Sequence, residues 1–543
     1  MDASSNNLTW YSFLRALPKH RLFLSVFYGL IRIVFSISWP YLLFYYIKNQ
    51  DSININGLIA IIVSVISMFV IASVATYKQS RLNILMVEAW SLKLSEQMWK
   101  KMISLDWLTF HGKSRVYYFD LLMTDFWRFR QGMMAILETV IVNMVVVGAL
   151  VLLICWISLP MFVLCVIGLL IVGGLHFYSS IIARPLFKKF HRAWSDQHMW
   201  IATSIDQFDL IRMDRAYDET EGKHKSNTLN FLGANTSMYT SQAYWKSVNQ
   251  IAGNLLRVIV FIIGIYWIKI DFISLTNFLF VLFIVSIIQN NLAQVPSGIF
   301  NFLEGKVAAL NITAFFALPA EEESNTKVDK EEITTLASIH IKNLDFAYFG
   351  KEVLTQKELF LEKGKIYLWR GANGSGKSTF AHILLGFLQP EKGSLHINET
   401  SHEWDVLRTL RNRFAFVHQD APMFMASIKE NILFGHPQED NAWKSIQKSW
   451  LYKLLPLGDS PEKRMVGDRG EGLSGGEARR LALIREWARS SELIILDEPL
   501  NHLDQISIDE IKREIVNFKS NAIVIVISHQ HGFENIADVI MDF

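Results

Sequence analysis
An all-α polytopic membrane domain of six transmembrane helices with long cytoplasmic extensions, followed by an α/β P-loop domain, is the fold class the sequence predicts. Three observations carry that expectation. Apolar runs of bilayer-spanning length crowd before about residue 305 of the 543. The remainder has the mixed composition of a soluble α/β domain. Between a strand pattern and a helical pattern stands GANGSGKST, at 371–379.

The composition bounds the function. Hydrophobic residues make up 51% and charged residues 19%, and the mean hydropathy of +0.23 is high for a wholly soluble chain. A net charge of +2 gives no general case for nucleic-acid binding. The two cysteines, Cys155 and Cys165, both lie inside apolar runs. That speaks against a disulfide framework, a zinc site or a cysteine nucleophile and for small apolar filler. The first apolar run is too long for a signal-peptide core and no small-residue cleavage pattern follows it, so it reads as a retained span.

A helix needs about twenty apolar residues to cross a bilayer. Runs near 22–47, 57–78, 137–157, 160–182, 250–268 and 274–300 qualify. The joints at 48–56, 158–159 and 269–273 are short, whereas 79–136 and 183–249 are long and rich in Lys and Arg. Long basic loops belong on the cytoplasmic side, which puts both termini and the second domain there and suggests a bacterial inner membrane. Residues 83–105 and 186–220 have apolar residues at helical spacing, so the spans are expected to run on as helices. Each pair turns around at a tip, 106–110 (DWLTF) and 208–212 (FDLIR). Their aromatic and apolar residues point to a docked linkage; the alternative is a pair of solvated hairpins.

Several polar residues fall within the spans: Arg32, Asn249, Gln250, Asn254, Arg257, Gln289, Asn290, Asn291 and Gln294. Such residues either bond helix to helix or line a wet cavity. A cavity bearing two arginines would tolerate a carboxylate-bearing cargo. Pro40 and Pro296 are expected to kink their helices, with or without a gating role.

A linker is expected over 318–337, where AEEESNTKVDKEE is polar and charged, between domains at 1–317 and 338–543. Strand patterns follow at 338–348 and 365–370. The loop Gly371, Ala372, Asn373, Gly374, Ser375, Gly376, Lys377, Ser378 and Thr379 then opens a helical run. Its glycines let backbone N–H groups wrap a phosphate, Lys377 supplies a point charge, and the Ser378 hydroxyl suits Mg2+. LIILDE at 493–498 is a buried strand ending in two carboxylates. Asp497 is placed for Mg2+, and Glu498 to polarise the attacking water. NAIVIVISHQ at 521–530 is another buried strand, ending at His529, which can hold the water and the base in line; by itself such a histidine is an ordinary surface residue. ATP with Mg2+ is therefore the expected ligand pair.

With these pieces in order the chain resembles the ATP-binding cassette (ABC) transporters in their exporter form, over nearly its whole length. The resemblance implies roles for further residues. Ser474, Gly475 and Gly476 of LSGGE would contact the γ-phosphate held by an opposite subunit, and Gln419 would be the glutamine that touches Mg2+. Tyr348 would stack on adenine, 466–472 (VGDRGEG) would face the membrane domain, and Asp504 would sit in the loop between sites. Two departures stand out: Glu477 where Gln is usual, and DEPLNHLD in place of DEATSALD. One membrane half with one cassette implies a dimer, a homodimer in preference to a heterodimer. The expected function is ATP-driven export of a peptide or peptide-like compound by alternating access. The alternatives are flipping of a lipid or lipid-linked oligosaccharide, and a non-transporting regulator, which six spans oppose. Membrane lipid is an expected partner and nucleic acid is not.

Overall fold
The computed structural model describes residues 18–48, 55–138, 143–292, 295–321, 333–436 and 439–543, the last without 450–451, 454, 456–462, 468–470, 490, 502, 504 and 530–531. Asp504, Gln294 and the middle of the 466–472 segment thus lie outside the described residues. The chain divides into two compact units, Met1–Leu105 with Thr109–Ala320, and Asp106–Leu108 with Glu321–Phe543.

The first unit is helical. α1 (Lys19–Lys48), α2 (Ile55–Ile103) and the short α3 (Trp107–His111), whose first two residues belong to the second unit, come first. α4 (Arg115–Phe119) leads through a π-helical turn, Asp120–Asp125, into α5 (Phe126–Ala135) and α6 (Asn143–Ile157). α7 (Leu159–Asp206), α8 (Phe208–Met213), α9 (Tyr217–Lys269), α10 (Leu275–Leu292) and α11 (Val295–Phe316) complete it. Among the described residues five helices are long and apolar enough to cross a bilayer: Ile55–Ile103, Arg115–Ile157, Leu159–Asp206, Tyr217–Lys269 and Leu275–Phe316. α1 carries the first apolar run over 30 residues. The apolar windows of α2 and α9 are only 11% buried within the protein, so their side chains need an apolar solvent. Both tips are short helices, α3 and α8, and α7 continues unbroken through Pro185.

The helical extensions have a core of their own. Met86, Val87, Leu94 and Met98 of α2 pack with Phe129 and Met133 of α5 and with Ala308, Ile312 and Phe315 of α11. Polar groups are paired within it. Asn311 donates to Asp125 Oδ2 at 2.9 Å, and Arg128 Nη1 donates to His191 Nδ1 at 2.9 Å. Since arginine only donates, His191 must present Nδ1 unprotonated there. Elsewhere in this unit Gly264 of α9 makes room for Phe278 of α10, whose ring carbon lies 2.0 Å from where a Cβ would stand.

The second unit holds two sheets. An antiparallel sheet runs in the order β2 (Lys351–Glu362), β1 (Ser338–Tyr348), β4 (Lys392–Ile397), β5 (Thr400–His402). A second sheet runs β6 (Phe414–Val417), β7 (Leu493–Asp497), β8 (Ile523–Ile527), β3 (Ile366–Arg370), β9 (Val539–Asp542), with every pairing parallel. Its central strands are continuous apolar runs because helices cover both faces. α12 (Lys377–Leu384) and α13 (Asp405–Thr409) lie on the side of the first sheet; α14 (Ile428–Leu433), α15 (Glu439–Lys448), α16 (Gly475–Trp487) and α17 (Gln505–Phe518) cover the other.

Candidate nucleotide site
Parallel strands present all their carboxyl ends along one edge, where ligands bind in open α/β sheets. Four such ends lie side by side in the order β6, β7, β8, β3. They lead into Gln419, into Asp497 and Glu498, into Ser528 and His529, and into the loop 371–376. Residues scattered over more than 150 positions are thus gathered by topology alone.

The loop after β3 has the expected form. Gly374 and Gly376 hold φ of +82° and +98°, left-handed backbone that other residues resist. A Cβ on Gly376 would come within 2.6 Å of the Leu354 side chain, whereas one on Gly374 would meet only open space. Gly376 caps α12, so the first amides of the helix point into the loop. Lys377 is 5% exposed and its Nζ donates to Gly371 O at 2.8 Å, Ala372 O at 3.0 Å and Ser375 Oγ at 3.2 Å. A phosphate must take over these bonds. Burial lowers the Lys377 pKa, and the carboxylates of Asp497 and Glu498 work against that shift.

The acidic pair ends β7. Burial and the neighbouring Glu498 push the Asp497 pKa up, while His418, Arg479 and Lys377 hold it back. A divalent cation would reverse the balance. The oxygen donors expected around it, Ser378, Gln419 and Asp497, are hard ligands of the kind Mg2+ takes. Glu498 is 8% exposed and sits at φ +46°, a strained conformation for glutamate. Its N–H donates to Ile527 O at 2.9 Å. The backbone N–H of His529 donates to Oε1 at 2.7 Å, and Ser528 Oγ lies 3.4 Å from Oε2. The end of β8 therefore aims the carboxylate. The His529 contact with Glu498 is made by the main chain, and the residue itself is exposed.

Ser474 is the N-cap of the 13-residue α16. Its Oγ accepts from Glu477 N at 3.2 Å, and Glu477 Oε2 accepts from Ser474 N at 2.7 Å. Because the hydroxyl acts as acceptor in this capping box, its proton stays free for a phosphate oxygen at the helix N-terminus. Glu477 also pairs with Arg464 at 3.2 Å. Burial would raise the Glu477 pKa, but bonds from Ser474 and the Arg464 charge lower it overall. A depressed carboxylate stabilises the fold above its unfolded pKa and loses that contribution as pH falls through the folded value. Glutamine can make the same cap. Glu477→Gln is therefore expected to keep the melting temperature within about 2 °C at pH 7 and to remove this acid-sensitive term. Glu477→Ala should cost about 1 kcal/mol. Thermal melts at pH 7 and pH 4 check both.

Tyr348 ends β1, half-buried, with its ring edge-on to Phe346 at 4.9 Å. Trp107, which separates with this unit, lies 4.7 Å from the His382 ring of α12. The sequence singles out the 106–110 segment, whereas His382 has no distinguishing pattern around it.

In the helical unit a cavity of about 400 Å3 is lined from α7, α9 and α10, among others by Lys246, Asn249, Gln250, Asn254, Arg257, Gln289 and Asn290. Arg257 Nε donates to Gln289 Oε1 at 2.9 Å, and Gln289 Nε2 donates on to Gly253 O. Among the described residues neither Arg257 nor Lys246 has a carboxylate partner within 4.0 Å. Of the other span residues singled out by sequence, Arg32 is not in this lining, and Asn291 donates to Ile287 O at 2.8 Å. Lys246 was missed. The spacing of 246, 250, 253 and 257 on one helix face could have found it.

Comparison with known proteins gives a family, relatives and a fold of the same kind. Residues 354–501 match the family described as ABC transporter. An ATP-dependent lipid A-core flippase 2 of Colwellia psychrerythraea is 32% identical over 42% of this chain and 39% of its own length. The subtilin transport ATP-binding protein SpaT of Bacillus subtilis is 24% identical over 68% of this chain and 62% of its own. The chain thus spans less than two thirds of the length of these relatives. The solved structure of a bacterial Atm1-family ABC exporter with ATP bound has a TM-score of 0.83 over 99% of this chain and 94% of that one, at 16% identity, a likeness of fold.

Proposed function
We propose that this chain, an ABC transporter half-transporter with the exporter fold, works as a homodimer that exports an acidic, peptide-like compound at the expense of ATP. The observation that carries the reading is the joining, in one chain, of a nucleotide site on a parallel sheet edge to a helical unit whose apolar surfaces the protein leaves uncovered. The signature helix opened by Ser474 completes the site of a second copy, with ATP between them. Lys377 and the loop amides hold the phosphates, Ser378, Gln419 and Asp497 hold Mg2+, and Tyr348 stacks on the base. Held by those residues, Mg2+ would supply positive charge to the transferring phosphoryl group. Glu498, aimed by the His529 amide, takes the proton from the attacking water, with the His529 ring beside it. ATP shifts the helical bundle only to the extent that it binds the closed pair more tightly than the open one. The setting is a bacterial inner membrane with the cassette in the cytoplasm.

For the cargo, support comes from Arg257 and Lys246 in the cavity and from the likeness to a subtilin transport protein. The likeness to lipid A-core flippases favours a second reading, an anionic lipid. Proteoliposomes holding the full chain distinguish the two. An acidic peptide is expected to stimulate ATP hydrolysis several-fold, its fully amidated form much less, and Arg257→Gln is expected to lower the ratio of stimulated to unstimulated rate about fivefold or more. Stimulation by lipid A and not by the peptide would replace the peptide reading with the lipid one.

A further inference from the structure
We propose that Arg479 is a positioning residue that pins the main chain at Gln419 and so ties the signature helix to the metal side of its own cassette's nucleotide site. Arg479 lies in the second turn of α16 and is 3% exposed. Nη1 donates to His418 O and Nη2 to Gln419 O, both at 2.7 Å. A guanidinium holds its N–H groups in one plane as a rigid fork, so it meets two successive carbonyls in few arrangements of that backbone.

The turn it grips is set by side chains and short contacts. His418 O also accepts from Ala421 N at 3.2 Å, His418 Nδ1 accepts from Asp420 N at 3.1 Å, and Ala421 stands at φ +45°. β6 ends at Val417, so no ladder bond fixes the two carbonyls beyond it. The Gln419 side chain is exposed while its carbonyl is held from within. Burial penalises the Arg479 charge, and Asp497, Asp420 and Glu498 offset the penalty. The same guanidinium is thus within electrostatic reach of the acidic pair while its fork holds the Gln419 turn.

The consequence rests on the function proposed above. Ser474, at the N-terminus of α16, reads the nucleotide of the partner subunit; Gln419 reads the metal of its own. Any shift of α16 as Ser474 takes up a phosphate moves the fork and, with it, two carbonyls of the Gln419 turn. The two sites of the dimer are thus joined through one side chain on each subunit.

The test uses the full-length protein with Arg479→Gln and Arg479→Lys, the second keeping the charge without the fork. Loss of a partner behind a metal ligand weakens metal binding about 10–100-fold. Both variants are expected to retain Mn2+ in the presence of ATP about tenfold less well by electron paramagnetic resonance, and to need correspondingly more Mg2+ for half-maximal hydrolysis. Binding of trinitrophenyl-ATP in EDTA should match the parent. Parent-like Mn2+ retention in either variant overturns the proposal. So does an equal loss of trinitrophenyl-ATP binding in EDTA, which would mark general damage to the fold. A parent that binds ATP with Mn2+ but never turns it over would count against the transport function and leave the Mn2+ comparison standing.

Discussion

Replacing Glu498 by glutamine is expected to lower ATP turnover by about 10²–10³-fold while leaving ATP affinity within about twofold. The geometry separates the two effects. Gln has the shape of Glu, and its amide oxygen can still accept the His529 N–H that now lies 2.7 Å from Oε1. The left-handed backbone at 498 is retained, since the main-chain bond to Ile527 O does not involve the side chain. What is lost is the proton acceptor. Phosphoryl transfer needs little covalent help, but the attacking water must be oriented and relieved of a proton. The variant should therefore bind ATP, close and stay closed, seen as a lasting dimer of cassettes by cross-linking. Turnover at the parent rate would remove Glu498 from the mechanism.

The second large effect is expected at the other end of the site. Lys377→Ala should weaken ATP binding about 10²-fold, near 2.7 kcal/mol, through loss of charge-assisted bonds to the β- and γ-phosphates. A further loss comes from the loop itself. Lys377 spans Gly371 O, Ala372 O and Ser375 Oγ, so it also ties the two ends of the loop to each other. Without that tie the glycines are freer and the loop must be ordered at the moment of binding. Lys377→Arg is expected to rescue little, because a planar fork does not replace a compact ammonium at a 5%-exposed position. Equilibrium binding of labelled ATP settles it; an affinity equal to the parent's would contradict the assignment. Together the two variants divide binding from chemistry.

Much of the cassette was legible because its signals are local. A strand that is buried on both faces reads as IYLW, LIIL or IVIVI, and a phosphate loop needs small residues and a lysine at fixed offsets. The helical extensions were legible from their spacing. Contacts made across the fold were not. Arg479 looks like any basic residue on a helix, and only the packing of α16 against the end of β6 shows that its fork meets two carbonyls. β2 was hidden because its 12 residues, KEVLTQKELFLE, group polar and apolar side chains in pairs instead of one by one, and it holds Gln356 at φ +47° on the edge of a sheet. The π-helical turn at Asp120–Asp125 leaves no trace in residue spacing, and neither does the bond that Asn311 of another helix donates to Asp125 at its end. Lys246 was passed over because it precedes the apolar run, although it shares a helix face with Arg257.

The helices whose apolar windows are only 11% covered carry one more consequence. Where a second copy does not cover them, acyl chains would form the other wall of the core, as necessary to close packing as a neighbouring helix. Melting temperature and coupling should therefore track chain length in the surrounding lipid, and a preparation stripped to short detergents should lose order first along α2 and α9, whatever nucleotide is present.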